Sequence, residues 1–65
     1  MIIYSGKKIR NDKNFTVRGL ASKAGIAPST ISKWENGTHL PDLEVLDLVA
    51  AAMDVNPWNL VSFKK

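Results

Sequence analysis

The chain has 65 residues and a formal net charge of +3, which allows one small domain with a narrow stability margin. It has no cysteine, so disulfides and thiolate metal sites are excluded, and its proportions of apolar and charged residues are ordinary for a globular protein. The longest uncharged apolar run, residues 48–53, is far shorter than the roughly 20 residues that span a bilayer. We therefore expect a single cytoplasmic domain over residues 1–65, and not a membrane protein, a secreted miniprotein or a disordered tail.

The first part of the chain predicts two short helices. Residues 2–4 could be extended, and a first helix is expected before Asn14. Thr16 occupies a typical N-cap position, and Gly25 suits the left-handed conformation that ends many helices. These two residues predict a second helix over residues 17–24.

Three further helices are predicted in the rest of the chain. Pro28 fits the first turn of a third helix over residues 28–35, and Asp42 caps a fourth over residues 43–53. A last short helix is expected over residues 57–63, before a tail of two lysines. The fourth helix carries an apolar stripe at three- and four-residue spacing, made of Leu43, Leu46, Val49, Ala50 and Met53. No pattern of strands joined by a hairpin turn is present, so the expected fold class is all-α, a compact bundle of about five short helices.

The most specific pattern lies in residues 17–36, which read V-R-G-L-A-S-K-A-G-I-A-P-S-T-I-S-K-W-E-N. Two helices joined by a tight turn need a small residue where they cross, and Ala21 supplies it. The turn needs a residue that tolerates positive φ, and Gly25 supplies that four positions later. Five apolar residues are expected to point inward: Leu20, Ala24, Ile26, Ile31 and Trp34. The pattern therefore predicts a helix-turn-helix.

The sequence resembles the Cro/lambda-repressor-like (Xre) family of helix-turn-helix transcription regulators. F-T-V-R-G-L-A-S-K-A-G-I resembles the family's second helix, A-P-S-T-I-S-K-W-E-N-G its third, and L-P-D-L-E-V-L-D-L-V-A-A-A-M-D-V-N-P-W-N-L its fourth and fifth. The W-E-N-G run followed by Pro41 is the most family-specific part. The resemblance implies a five-helix domain that docks its third helix, about residues 28–35, into the DNA major groove, usually as a dimer. The expected function is that of a sequence-specific, double-stranded-DNA-binding transcriptional regulator, a repressor.

The outward face of the third helix provides the expected base-reading side chains, Pro28, Ser29, Ser32 and Lys33. Lys33 can donate to guanine O6 and N7, Ser29 can donate or accept at a base edge, and Pro28 can contact a thymine methyl. Thr30, in the first turn, is expected at a phosphate. The resemblance adds further contacts with the DNA backbone: Thr16, Val17 through its amide, Arg18, Asn36, Thr38 and His39.

The charge is divided between the two halves of the chain. Residues 1–33 carry +6 and residues 34–65 carry −3, so a basic half lies beside an acidic one. This asymmetry favours a polyanionic partner, although a solubilising mixture of charges gives the same numbers. The individual residues have plain alternatives as well: Lys33 and His39 can be solvated surface groups, and Ser29 and Thr30 can be capping residues.

Two positions depart from the family pattern. Val17 stands where the family commonly has a glutamine that bonds a phosphate, and Pro28 has no side-chain donor at the first outward position of the third helix. Fewer direct base contacts are therefore expected, with more reliance on DNA shape. The departures leave open a second class of function, a protein-interaction module of the same fold, such as an antitoxin or antirepressor-like partner.

No enzyme, metal, cofactor or small-molecule site is expected. His39 is the only histidine, there is no cysteine, and no glycine-rich phosphate loop is present. The acidic residues near the start of the fourth helix are explained by the positive end of its dipole.

Two pairs of residues carry structural expectations. Arg10 and Glu35 match positions that form an ion pair in some relatives, and the pair can be buried, exposed or absent. Trp58 and Val61 lie three residues apart on the expected last helix, with Leu60 facing the core. An exposed tryptophan is typical of interfaces, so these two residues are the candidate interface of a homodimer, at least on DNA. The alternative is that Trp58 folds back over its own core.

Overall fold

The computed structural model describes residues 2–63. Along the chain, a short strand comes first, four α-helices and a 3-10 helix follow, and a second short strand comes last. The mostly helical fold with its helix-turn-helix is confirmed. The expected tail of Lys64 and Lys65 lies outside the described residues. In chain order the elements are β1 (Ile2–Tyr4), α1 (Lys7–Asp12), α2 (Val17–Ala24), α3 (Pro28–Glu35), α4 (Leu43–Met53), the 3-10 helix (Pro57–Leu60) and β2 (Val61–Phe63).

Capping residues fix both ends of α2 and the start of α4, as the sequence predicts. The Thr16 hydroxyl oxygen accepts a 2.9 Å hydrogen bond from the Gly19 amide at the start of α2. Gly25 ends α2 with φ of +77°, a conformation in which a Cβ would be strained. Asp42 accepts a 2.9 Å hydrogen bond from the Glu44 amide and caps α4.

The prediction of a fifth helix over residues 57–63 is wrong. The 3-10 helix ends at Leu60, and the chain then extends as β2, which pairs antiparallel with β1. The partners across this two-stranded sheet are Ile2 with Phe63, Ile3 with Ser62 and Tyr4 with Val61. Both segments are rich in β-branched and aromatic residues, which favour a pleated, half-buried surface over a helix. The sheet joins the two ends of the described chain, a pairing that no local pattern can reveal.

The core lies between α2, α3 and α4, closed at one end by the 3-10 helix. Its fully buried side chains include Leu20 on α2, Ile31 on α3, Val49 on α4 and Leu60. Of the inward residues predicted for the helix-turn-helix, Ala24 and Ile26 are half-buried and pack against this cluster. Leu43 departs from the predicted stripe of α4, because it stands at the first residue of the helix and is 72% exposed. Within residues 2–63, no helix has the length and apolar character that crossing a membrane requires.

Tyr4 attaches the sheet to the core. Its ring centroid lies 5.3 Å from that of Trp34, in a tilted arrangement. Its hydroxyl is buried against Gly6, where a Cβ would collide with it, and has no hydrogen-bond partner among residues 2–63. The pKa of Tyr4 is raised to about 12, mainly by burial. The negative charge of Glu35 also raises this pKa, and the positive charge of Arg10 lowers it.

We expect Tyr4→Phe to leave stability at neutral pH unchanged or to raise it by up to about 1 kcal/mol, because it removes an unpaired buried hydroxyl. The unfolded tyrosine ionises near pH 10 and the folded one near pH 12, so the wild type loses stability between these values and the variant lacks this loss. Urea unfolding of both proteins at neutral pH and near pH 11 measures the difference. Tyr4 is the only tyrosine, so an ultraviolet titration reads its pKa directly. A variant clearly less stable at neutral pH would show that the hydroxyl has a partner.

Candidate nucleic-acid interface

The helix-turn-helix is built by the turn between α2 and α3. Gly25 reverses the chain, and the Ile26 amide then donates to the Ala21 carbonyl at 3.0 Å. Ala21 is fully buried, so the two helices can approach closely where they cross. The turn therefore fixes the direction of α3 relative to α2.

One side of α3 is anchored in the core and the other is free. Ile31 and Trp34 are buried, and they project from the side of the helix opposite Ser29 and Lys33. Pro28, Ser29 and Lys33 are exposed and Ser32 is half-buried. Lys33 forms no ion pair with any residue of the described chain. The outward surface of α3 thus presents the ammonium of Lys33, the hydroxyls of Ser29 and Ser32, and the ring of Pro28.

The N-terminal end of α2 offers groups for a phosphate. The Thr16 hydroxyl oxygen is used in the helix cap, but its proton remains available for donation. The first-turn amides of α2, including that of Val17, point out of the helix at its positive end. Arg18 is exposed beside them, so three of the predicted backbone contacts stand next to each other in the chain.

The loop after α3 holds three more of the predicted contacts. Asn36, Thr38 and His39 are all exposed. The loop turns at Gly37, whose φ is +76°, and the Thr38 amide donates back to the Lys33 carbonyl at 3.0 Å. Its position is therefore tied to the end of α3. The seventh residue, Thr30, lies in the first turn of α3 and is half-buried.

Arg10 connects both ends of this surface to α1. Its guanidinium forms a two-point ion pair with the Glu35 carboxylate, with Nε to Oε2 at 2.8 Å and Nη2 to Oε1 at 3.0 Å. Its Nη1 donates to the carbonyl of Phe15, the residue before the cap of α2, at 2.8 Å. The side chains of Arg10 and Glu35 are only 9% and 8% exposed, and the hydrogen bonds with Glu35 raise the pKa of Arg10 above its ordinary value. One side chain thus fixes the start of α2 relative to the end of α3.

Comparison with known proteins identifies the architecture. A family model described as helix-turn-helix matches residues 7–57, most of the chain. The chain belongs to the Cro/C1-type helix-turn-helix family. It is also similar, at 32% sequence identity and a TM-score of 0.85, to the crystal structure of a "putative DNA-binding protein" from Bacteroides fragilis. That comparison covers 95% of this chain and 100% of the other, whereas no curated protein matches the sequence.

The charge of this helix-turn-helix domain is favourable for DNA along α2 and α3. Between Asp12 and Glu35 the chain has four basic residues and no acidic one, and Glu35 itself is neutralised by Arg10. The Lys23 ammonium lies 5.3 Å from the centroid of the ring of Phe15, the residue before the cap of α2. Within residues 2–63, no group of three or more histidine, cysteine or acidic side chains is placed to hold a metal ion.

Trp58 and Val61 do not share a helix face, contrary to the sequence-based expectation. Trp58 lies in the 3-10 helix and is 71% exposed, while Val61 begins β2, is half-buried and pairs with Tyr4. Both still line one shallow hollow of the domain, together with Ile2 and Leu43. Ile2 and Leu43 cannot be predicted from the sequence as neighbours of Trp58, because one comes from the opposite end of the chain and the other from the start of α4.

Proposed function

We propose that this chain is a sequence-specific, double-stranded-DNA-binding transcriptional regulator, a repressor that acts in the cytoplasm as one domain over residues 1–65. The observation that carries the proposal is the orientation of α3. Ile31 and Trp34 bind its inner side to the core, and its outer side presents Ser29, Lys33 and their neighbours without a partner among residues 2–63. A rigid, partly basic helix surface of this kind fits the major groove of B-DNA.

In the proposed complex, one set of residues contacts phosphates and a second set reads bases. Phosphate contacts by the start of α2 and the loop after α3 set the depth and direction of the helix, since such contacts position a protein without reading sequence. Lys33, Ser29 and Ser32 then read base edges, and Pro28 contributes only an apolar contact. With so few donors, part of the preference is proposed to come from the shape of the DNA.

Repression is proposed to follow from occupancy, because a protein bound over a promoter excludes the polymerase. The protein is proposed to bind as a homodimer, which places two copies of α3 about 34 Å apart, on half-sites about 10 base pairs apart. Trp58 and Val61 are proposed to contribute to the interface between the copies.

The test is a fluorescence-anisotropy titration of random-sequence duplex DNA at two salt concentrations. If six or more phosphates are contacted, the affinity should fall on the order of 10³-fold between about 50 and 200 mM salt, because bound counterions are released. Affinity that is weak and insensitive to salt would overturn the proposal. It would instead favour the second candidate, a protein-interaction module. The exposed Trp58 and the lack of a side-chain donor at Pro28 support that candidate.

A further inference from the structure

The two-stranded sheet lies outside the part of the chain that the family model matches. The match covers residues 7–57, whereas β1 ends at Tyr4 and β2 begins at Val61, the residue that pairs with Tyr4. The helix-turn-helix pattern therefore does not account for the sheet. Its contacts with the rest of the molecule indicate what it does there.

The sheet is held against the end of α3 by Tyr4. The Tyr4 ring packs on Trp34, the second-to-last residue of α3, with 5.3 Å between the ring centroids. The hydroxyl end of Tyr4 occupies space beside Gly6 that a Cβ would fill. The Ser5 amide anchors the chain after β1 by donating to the Leu60 carbonyl at 2.8 Å. Because Trp34 is itself buried, the sheet, the Tyr4 ring and the Trp34 indole form one packed unit.

The loop after α3 is tied to the backbone of the same tryptophan. The Gly37 amide donates to the Trp34 carbonyl at 3.2 Å, and the Thr38 amide donates to the Lys33 carbonyl at 3.0 Å. The loop and β1 line one wide hollow of about 550 Å³, which Tyr4 and Trp34 also line. Since this open space lies between β1 and the loop, the contact that joins them is that of Tyr4 with Trp34.

We infer that Tyr4 is a positioning residue for DNA binding, whose ring fixes Trp34 and thereby the loop that Trp34 carries. The inference rests on the proposed DNA binding, in which Asn36, Thr38 and His39 contact phosphates. A loop that is already in place avoids the cost of being ordered when DNA binds. Tyr4 thus acts on the DNA contacts from the side of α3 that faces the core, without touching DNA.

The base-reading face of α3 has supports that do not involve Tyr4. Ile31 is fully buried in the core, and the Glu35 carboxylate is held by Arg10. Truncating Tyr4 should therefore leave the direction of α3 unchanged and release only the loop. Phosphate contacts set affinity and its salt dependence, whereas base contacts set the preferred sequence. The two kinds of contact can be measured separately.

Salt-dependent binding of the wild type, Tyr4→Leu and Tyr4→Phe to the duplex recovered by selection tests the inference. Each phosphate contact adds about 0.9 to the slope of log affinity against log salt concentration. If Tyr4→Leu loses two such contacts, its affinity should fall about tenfold less than that of the wild type between about 50 and 200 mM salt. Tyr4→Phe keeps the ring and should keep the wild-type slope. Selection from a random-sequence library should return the same preferred sequence for all three proteins.

Two further variants separate positioning from stability, each measured at a temperature at which circular dichroism shows it folded. Gly6→Ala adds a Cβ that collides with the Tyr4 hydroxyl, at a φ of −83° that alanine adopts without strain. It displaces the ring while keeping the tyrosine, and it should lower the slope as Tyr4→Leu does. Val55→Ala is the matched control, because Val55 is also half-buried against the core but does not line the hollow. This variant should lose stability and keep the full slope.

The outcomes distinguish this inference from the proposed function. Binding by the wild type that is weak and insensitive to salt would overturn the proposed function itself. A steep slope in the wild type that Tyr4→Leu and Gly6→Ala retain would overturn the positioning role and leave DNA binding standing. Equal reductions in Tyr4→Leu and Val55→Ala would also overturn it, because any loss of stability would then lower the slope.

Discussion

Replacing Glu35 with glutamine is expected to lower the free energy of unfolding by about 3 kcal/mol. The Arg10 guanidinium is held by two hydrogen bonds to the Glu35 carboxylate, with less than a tenth of either side chain exposed. Glutamine keeps one acceptor but leaves the positive charge of Arg10 without its counterion in a site shielded from water. For a domain of this size the loss corresponds to a fall in melting temperature of more than about 10 °C.

The matched control for this prediction is Glu44→Gln. Glu44 is the only other glutamate in the chain, and it is exposed in the first turn of α4, where its charge contributes less than about 1 kcal/mol. Thermal and urea unfolding of the two variants gives the comparison. If both variants melt within a degree or two of the wild type, the Arg10–Glu35 pair is not a structural support of the fold.

Lys33→Ala is expected to weaken binding to the preferred DNA site by about 1–3 kcal/mol and to relax the preference at one base pair. Lys33 is exposed on the outer side of α3, and its helical neighbours Ile31 and Trp34 fix the direction in which it projects. A lysine that donates to guanine O6 and N7 discriminates between bases, and alanine cannot.

Selection of bound duplexes from a random-sequence library measures this effect, with Lys23→Ala as the control. Both variants lose one positive charge from the helix-turn-helix, but Lys23 lies outside the predicted base contacts. Lys23→Ala should bind more weakly at most, with the base preference of the wild type. The same preferred sequence and the same base bias in wild type and Lys33→Ala would show that Lys33 does not read a base.

The boundaries of α2, α3 and α4 and the helix-turn-helix can be predicted because local residues determine them. Thr16 and Asp42 cap a helix through their own side chains, and Gly25 adopts a conformation that few other residues tolerate. The buried positions of α2 and α3 follow from the helical period, so the outward face of α3 follows as well.

The sheet and the hollow beside Trp58 cannot be predicted in this way, because their parts are far apart in the chain. β1 and β2 pair across almost the whole sequence, and Ile2 reaches Leu40 and Trp58 only in the folded molecule. Leu43 fits the helical period of α4. It lies at the first residue of the helix, however, one turn before the first buried residue, Leu46, and is exposed. The bond from Arg10 to the Phe15 carbonyl involves a backbone atom, which leaves no trace in the pattern of side chains.

Amide chemical-shift mapping of the isotope-labelled protein, titrated with the duplex recovered by selection, tests most directly whether α3 and its neighbours bind DNA. The largest changes should fall in residues 16–18, 28–33 and 36–39, with smaller changes around Trp58 and Val61 as the proposed dimer forms. Changes confined to the surroundings of Trp58 or to α4, with α3 unaffected at saturation, would contradict DNA recognition by α3.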